Sequence, residues 1–162
     1  MEIRFFNPIF TEASNFAFGS RTSSVRNGVY FASLSAVLAD NSGYSVQSFG
    51  NSAYDINAIL TINVTDAEFK LTREATSFVF TYTNPRPGIT SEYPVYLFGL
   101  NDGGSVINIM PNMCLYYWKY WRNGELAQHL VPALDDYGVP CAKDLVTGNY
   151  LYNQGTGTFE YE

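Results

Sequence analysis

Apolar and polar residues alternate along most of this chain, and turn-forming residues interrupt the alternation at short intervals. Ser77-Phe78-Val79-Phe80-Thr81-Tyr82 places Phe78, Phe80 and Tyr82 on one side at period two, the spacing of a β-strand. Ala58 to Val64 does the same with Leu60, Ile62 and Val64, and Thr65-Asp66 turns it into Glu68 to Thr72. Gly28 to Leu38 reads as one long strand, which Asn41-Ser42-Gly43 turns into Tyr44 to Phe49. Ile3 to Phe10 is apolar, but Pro8 lacks a ladder donor, which predicts an edge strand or a bulge. Pro94 to Leu100 is the next strand, closed by Asn101-Asp102-Gly103-Gly104.

Cys114 to Trp121 is the most aromatic stretch. Alternation puts Tyr116, Trp118 and Tyr120 on one face and Leu115, Tyr117 and Trp121 on the other. Asn123-Gly124 then tolerates the positive φ of a type I′ turn, which predicts a hairpin to Glu125 to Leu134. Asp135-Asp136-Tyr137-Gly138 is turn chemistry and leads into Val139 to Val146. The sum is about ten to twelve strands with no helical periodicity between them. The expected fold is all-β: residues 1–162 form one domain, an antiparallel two-sheet sandwich of jelly-roll type.

The chain's 162 residues are enough for a core without a metal or disulfide framework. Aromatics make up 17% and charged residues only 15%, against a usual ~25%. The net charge of −6, with nine Lys plus Arg, lacks the basic field that phosphate backbones and anionic membranes attract. Nucleic acid and membrane are therefore not expected partners. No apolar run reaches the ~20 residues of a membrane span, and the N-terminus lacks the apolar core of a signal peptide. Cys114 and Cys141 lie in apolar stretches and read as buried free thiols.

The C-terminal third carries a resemblance. Asn123 to Gly148, with its run Leu130-Val131-Pro132-Ala133-Leu134-Asp135-Asp136-Tyr137-Gly138, resembles the closing segment of laminin-G-like, concanavalin-like jelly-roll modules. Such modules occur in bacteriophage virion proteins and in surface proteins of gut bacteria. Tyr152 to Phe159 is similar to the same family's terminus, and Phe18 to Ser23 and Leu97 to Asn101 fit as upstream landmarks. The resemblance spans about residues 15 to 160. Lys143 stands where an aromatic is common, and Gln128 where a basic residue is common. The family's usual opening strand has no room before Ile3. The resemblance thus implies an open sheet edge at Phe5, Phe6 and Phe10, completed by a partner chain.

Candidate chemistry is sparse. His129 is the only histidine and lies in a strand pattern, with no nucleophile elbow in the chain. The carboxylate pairs Asp66/Glu68 and Glu160/Glu162 sit at a turn and at the chain end, outside the aromatic strands that a glycosidase of this fold uses. Asp102, Asp135 and Asp136, with Asn101, are weak calcium candidates implied by the family's rim sites; the turns explain them without a metal. No cofactor is expected. The aromatic block Tyr116, Tyr117, Trp118, Tyr120 and Trp121 suits contact with a glycan or a protein partner.

The expected function is that of a non-enzymatic structural protein of a bacteriophage virion. It would be a capsid-decoration, head-fibre or tail-associated module, made in the bacterial host cytoplasm, that contacts other virion chains or copies of itself. The alternative is a lectin-like module that recognises a bacterial surface glycan.

Overall fold

In the computed structural model, residues 1–7, 15–21, 26–32, 35–40, 43–48, 58–65, 68–74, 78–83, 93–107, 109, 113–154 and 159–160 are described. Fifteen strands and no α-helix occur among them. In chain order these are β1 (Glu2–Asn7), β2 (Asn15–Arg21), β3 (Arg26–Ala32), β4 (Ser35–Asp40) and β5 (Gly43–Ser48). Then come β6 (Ala58–Val64), β7 (Glu68–Arg73), β8 (Phe78–Thr83), β9 (Tyr96–Leu97) and β10 (Leu100–Asp102). The last are β11 (Ser105–Ile107), β12 (Cys114–Arg122), β13 (Glu125–Leu134), β14 (Pro140–Asp144) and β15 (Tyr150–Leu151).

They build two sheets. The larger has the order β15-β14-β13-β12-β1-β6-β7-β8, and every neighbouring pair in it is antiparallel. The smaller has the order β11-β10-β2-β3-β4-β5, with β9 also on β2. It is mixed, because β10 runs parallel to β2. One apolar cluster joins the two. Ile3, Phe5, Leu60, Ile62, Leu71, Trp118 and Leu130 come from the larger sheet and meet Ala17, Phe18 and Val29 from the smaller. Phe18 meets Trp118 edge-on at 5.3 Å, and Phe5 meets Phe98 at 5.9 Å. Alternation explains the burial: in β6 and β7 every second residue is buried, as a half-covered sheet requires.

Several expectations need correction. β1 is no edge strand; it lies mid-sheet, paired to β12 on one side and β6 on the other. Ile3 and Phe5 are fully buried, because two large apolar residues in one short strand lose most by remaining wet. β1 ends at Asn7, and Pro8 lies outside the described residues. Phe5 and Phe6 therefore form no assembly edge, and Phe10 lies outside the described residues. Gly28 to Leu38 is two strands, with Ala32 opposite Ser35. No Gly, Pro or Asn marks that reversal in the sequence. Pro94 to Leu100 also divides: Phe98 takes a φ of 56° and reverses the chain between antiparallel β9 and parallel β10. β2, β11 and β15 are strands that the periodicity does not announce.

The Asn123-Gly124 hairpin forms as expected, with φ of 52° and 83° at the two residues. At the Gly19–Gly28 pair, β2 and β3 approach so closely that a Cβ on Gly28 would sit 2.3 Å from the Phe18 carbonyl oxygen.

Candidate functional site

The aromatic block of β12 does not keep one alternation. Arg4 pairs with Tyr117 but Phe5 with Leu115, so Tyr116 is the extra residue of a β-bulge. The bulge shifts the phase: Leu115 and Trp118 both turn towards the core. Trp118 is 4% exposed, and its Nε1–H donates to Gln128 Oε1 at 3.1 Å. Trp118 is thus a core residue and no contact residue. Tyr116, Tyr120 and Trp121 are each more than a third exposed, and Tyr117 is half-buried.

On the outer face Tyr116 and Tyr117 join an ionic network. The Arg4 guanidinium lies 4.5 Å over the Tyr116 ring and is held by Glu74 through bonds of 2.6 and 2.9 Å. The bond to Glu74 raises the guanidinium's pKa further, and Arg4 holds the Glu74 carboxyl below its usual range. Lys119 lies 4.7 Å over the Tyr117 ring and 3.9 Å from Glu2, which also accepts from Asn63 Nδ2 at 3.1 Å. Burial, and then the hydroxyl's bond to Glu2, push the Tyr117 phenol up to about 12. His129 meets Tyr117 edge-on at 6.4 Å. Cys114 opposite Phe6 is exposed, contrary to expectation; Cys141 is buried, and burial raises its thiol pKa. Both thiols are free.

A second arrangement sits at the β13–β14 turn. One Asp135 oxygen accepts from the Tyr137 and Val139 N–H groups at 2.9 and 2.8 Å, and the other accepts from the Tyr152 hydroxyl at 2.8 Å. These donors, Val139 first, hold the Asp135 carboxyl below its usual range; the same contact pushes Tyr152 up to about 12. Gly138 completes the turn with a φ of 77°. The turn presents Tyr137 at 92% exposure, flanked by Leu134, Val139 and Tyr152, all exposed. Sequence reasoning missed this cluster. The signal was an aromatic inside a turn signature, where a small polar residue is the usual occupant.

The other candidates have structural occupations. Asp102 forms a bidentate pair with Arg21, its parallel neighbour on β2. Asn101 is buried, donates to the Pro94 carbonyl at 2.8 Å and accepts from the Gly104 N–H at 2.7 Å. Asp136 is exposed. Among the described residues no three His, Cys, Asp or Glu side chains converge as a metal site. The Glu68 N–H donates to the Thr65 hydroxyl oxygen of its own turn at 3.0 Å, while Asp66 and Glu162 lie outside the described residues.

Asp144 is the most buried carboxylate described, 4% exposed. Burial alone would raise its pKa, but the His129 and Val146 N–H groups and the Thr147 hydroxyl hold it down. It ends β14 two residues before Val146, where the periodicity had continued the strand. No protein-family model matches the chain, and neither a curated protein nor a solved structure matches it.

Proposed function

We propose that the chain is a non-enzymatic structural protein of a bacteriophage virion, a jelly-roll module of the laminin-G-like kind that contacts other protein chains on the particle surface. One observation carries the contact: Tyr137, 92% exposed, stands on a turn ordered by bonds to Asp135. A side chain on an already ordered turn loses little backbone entropy on docking. Tyrosine adds a large ring with a polar tip, a residue type that dominates protein interfaces. Leu134 and Val139, 43% and 46% exposed, supply an apolar surround.

The virion setting rests on the resemblance of residues 123–148 and its upstream landmarks. Two features of the topology agree with a jelly roll. The chain passes between the sheets four times, and its first strand pairs with β12. The contact surface is the C-terminal turn in place of the N-terminal edge.

Mass spectrometry of purified particles from the chain's own source tests the setting; the chain is expected among the particle proteins. Cross-linking on the particle tests the surface. Tyr137→Ser with Leu134→Ser should abolish its cross-links while leaving the melting curve unchanged. Absence of the chain from particles, or unaltered cross-links, overturns the reading.

A further inference from the structure

A row of side chains crosses the outer face of the larger sheet from strand to strand. Glu2 on β1 stands opposite Lys119 on β12 and opposite Asn63 on β6. Residues directly opposite in antiparallel pairs share a face, so the three are side by side on adjacent strands. Glu2 uses its two carboxylate oxygens differently. Oε1 lies 3.9 Å from the Lys119 Nζ, and Oε2 accepts from the Asn63 Nδ2 at 3.1 Å. The Tyr117 hydroxyl also bonds Glu2, and the Tyr117 ring lies 4.7 Å from the Lys119 Nζ. Both charged side chains are more than two-thirds covered, Lys119 being 29% and Glu2 23% exposed.

The row is an amine, a carboxylate and a carboxamide in that order, with the carboxylate touching both neighbours. An ion pair needs only the first two. A lysine amine freed of its proton is a nucleophile, and a carboxyl group within reach of both reactants can carry protons between them. The bond from Glu2 falls on the amide nitrogen, the atom that has to leave when an amine displaces it. The reach suffices. Two strand spacings put the Lys119 and Asn63 Cα atoms about 10 Å apart. An extended lysine carries Nζ about 6 Å from its Cα, and an asparagine Cγ lies about 2.5 Å from its own, so one more covalent bond closes the gap.

We infer that Lys119 and Asn63 form an intramolecular amide bond across β1, with Glu2 as the proton carrier. The Lys119 ammonium passes one proton to Glu2, and the free Nζ attacks the Asn63 Cγ. Glu2 delivers that proton to Nδ2, the Cγ–Nδ2 bond breaks, and the nitrogen departs as ammonia. Glu2 removes a second proton from Nζ, the ammonia takes it away as ammonium, and one hydrogen stays on the new amide. The product is lighter by one ammonia and has lost the Lys119 charge. The bond ties β12 to β6 over the strand that separates them. Lys70 supplies an internal comparison. It stands opposite Asn63 on β7, so it has the same amide as a neighbour, but Glu2 lies on the other side of Asn63. Contact with the carboxylate therefore selects Lys119. The inference does not depend on the Tyr137 turn or on where the chain acts.

The test incubates the folded full chain at neutral pH, digests it with trypsin and reads intact and peptide masses. The wild type should be lighter by one ammonia, resist cleavage after Lys119, and yield one branched peptide joining the segments that hold Asn63 and Lys119. Lys119→Arg, Asn63→Ala, Glu2→Gln and Glu2→Ala should each keep the full mass and give only linear peptides there. Lys70→Arg should retain the branch. Lys119→Arg keeps a cation beside Glu2, so it folds without the bond even if a Glu2 variant does not, and circular dichroism checks each variant. Only linear peptides in the wild type, a branch at Lys70, or an undiminished branch in a Glu2 variant overturns the inference. Loss of ammonia without a branch overturns it too, since a succinimide at Asn123-Gly124 gives the same mass.

Discussion

The centre of the larger sheet and its β13–β14 end are made of the same kind of strand but are finished differently. At the centre, β1 and β12 have both faces occupied: Ile3, Phe5 and Trp118 in the core, and paired ions with aromatic rings outside. Along β13 the inner row runs from buried Leu130 through exposed Pro132 to Leu134, 43% exposed. Alternation therefore continues past the point where burial stops. A period-two pattern reports which side a residue faces; it carries no information on whether anything covers that side. At the centre the alternation serves stability. At the end it leaves apolar groups exposed.

The largest effect should come from contrasting the two tryptophans of one strand. Trp118→Ala should cost about 3–5 kcal/mol, the usual range for removing a buried aromatic. Trp121→Ala should stay within about 0.5 kcal/mol. Chemical denaturation of both variants measures the gap, and equal losses would remove the distinction between the inner and outer faces. Next is Asp144, the buried polar group that terminates β14. Asp144→Ala strands the donors of His129, Val146 and Thr147 and should cost about 2–4 kcal/mol.

The same carboxylate sets a pH dependence. Its pKa is lower folded than unfolded, so its stabilisation is complete above the ordinary Asp value of about 3.9. It is lost as pH falls through the depressed folded value. Acid unfolding of the wild type should accordingly be steeper below about pH 4 than that of Asp144→Asn. Matching acid limbs would show that the site contributes nothing.

Gly124→Val should lose about 1–2 kcal/mol, because a β-branched residue resists the φ of 83° that the hairpin needs. The smallest effect belongs to the exposed turn. Leu134→Ser should change stability by less than about 0.5 kcal/mol. The Tyr152 phenol should titrate near 12 by ultraviolet absorbance in the wild type and lower in Asp135→Asn. The Tyr152–Asp135 bond is thus present below the ordinary phenol range and lost as pH rises through the folded value. An unshifted titration would detach Tyr152 from the turn.

Much of the architecture was legible because its causes are local. β6, β7 and β13 could be read from alternation, and the β12–β13 hairpin from Asn123-Gly124. The reversal between β3 and β4 and the one at Phe98 were not legible, since neither presents the usual turn chemistry. Of the aromatic block, Tyr116, Tyr117, Tyr120 and Trp121 reach the surface at least in part, but Trp118 does not. The bulge that separates Trp118 from Tyr116 depends on how β12 registers with a strand more than a hundred residues away in the chain.

By itself the sequence determined the all-β class, the turn at Asn123-Gly124 and the lack of a basic surface, all set by backbone preference, side-chain periodicity and charge count. Only the tertiary structure decided that β1 is central rather than marginal, which aromatics are buried, and that Arg4 and Lys119 meet Glu74 and Glu2. Those outcomes depend on which strands become neighbours, and neighbours in a sheet are chosen by the burial of the whole core rather than by any residue's own preference.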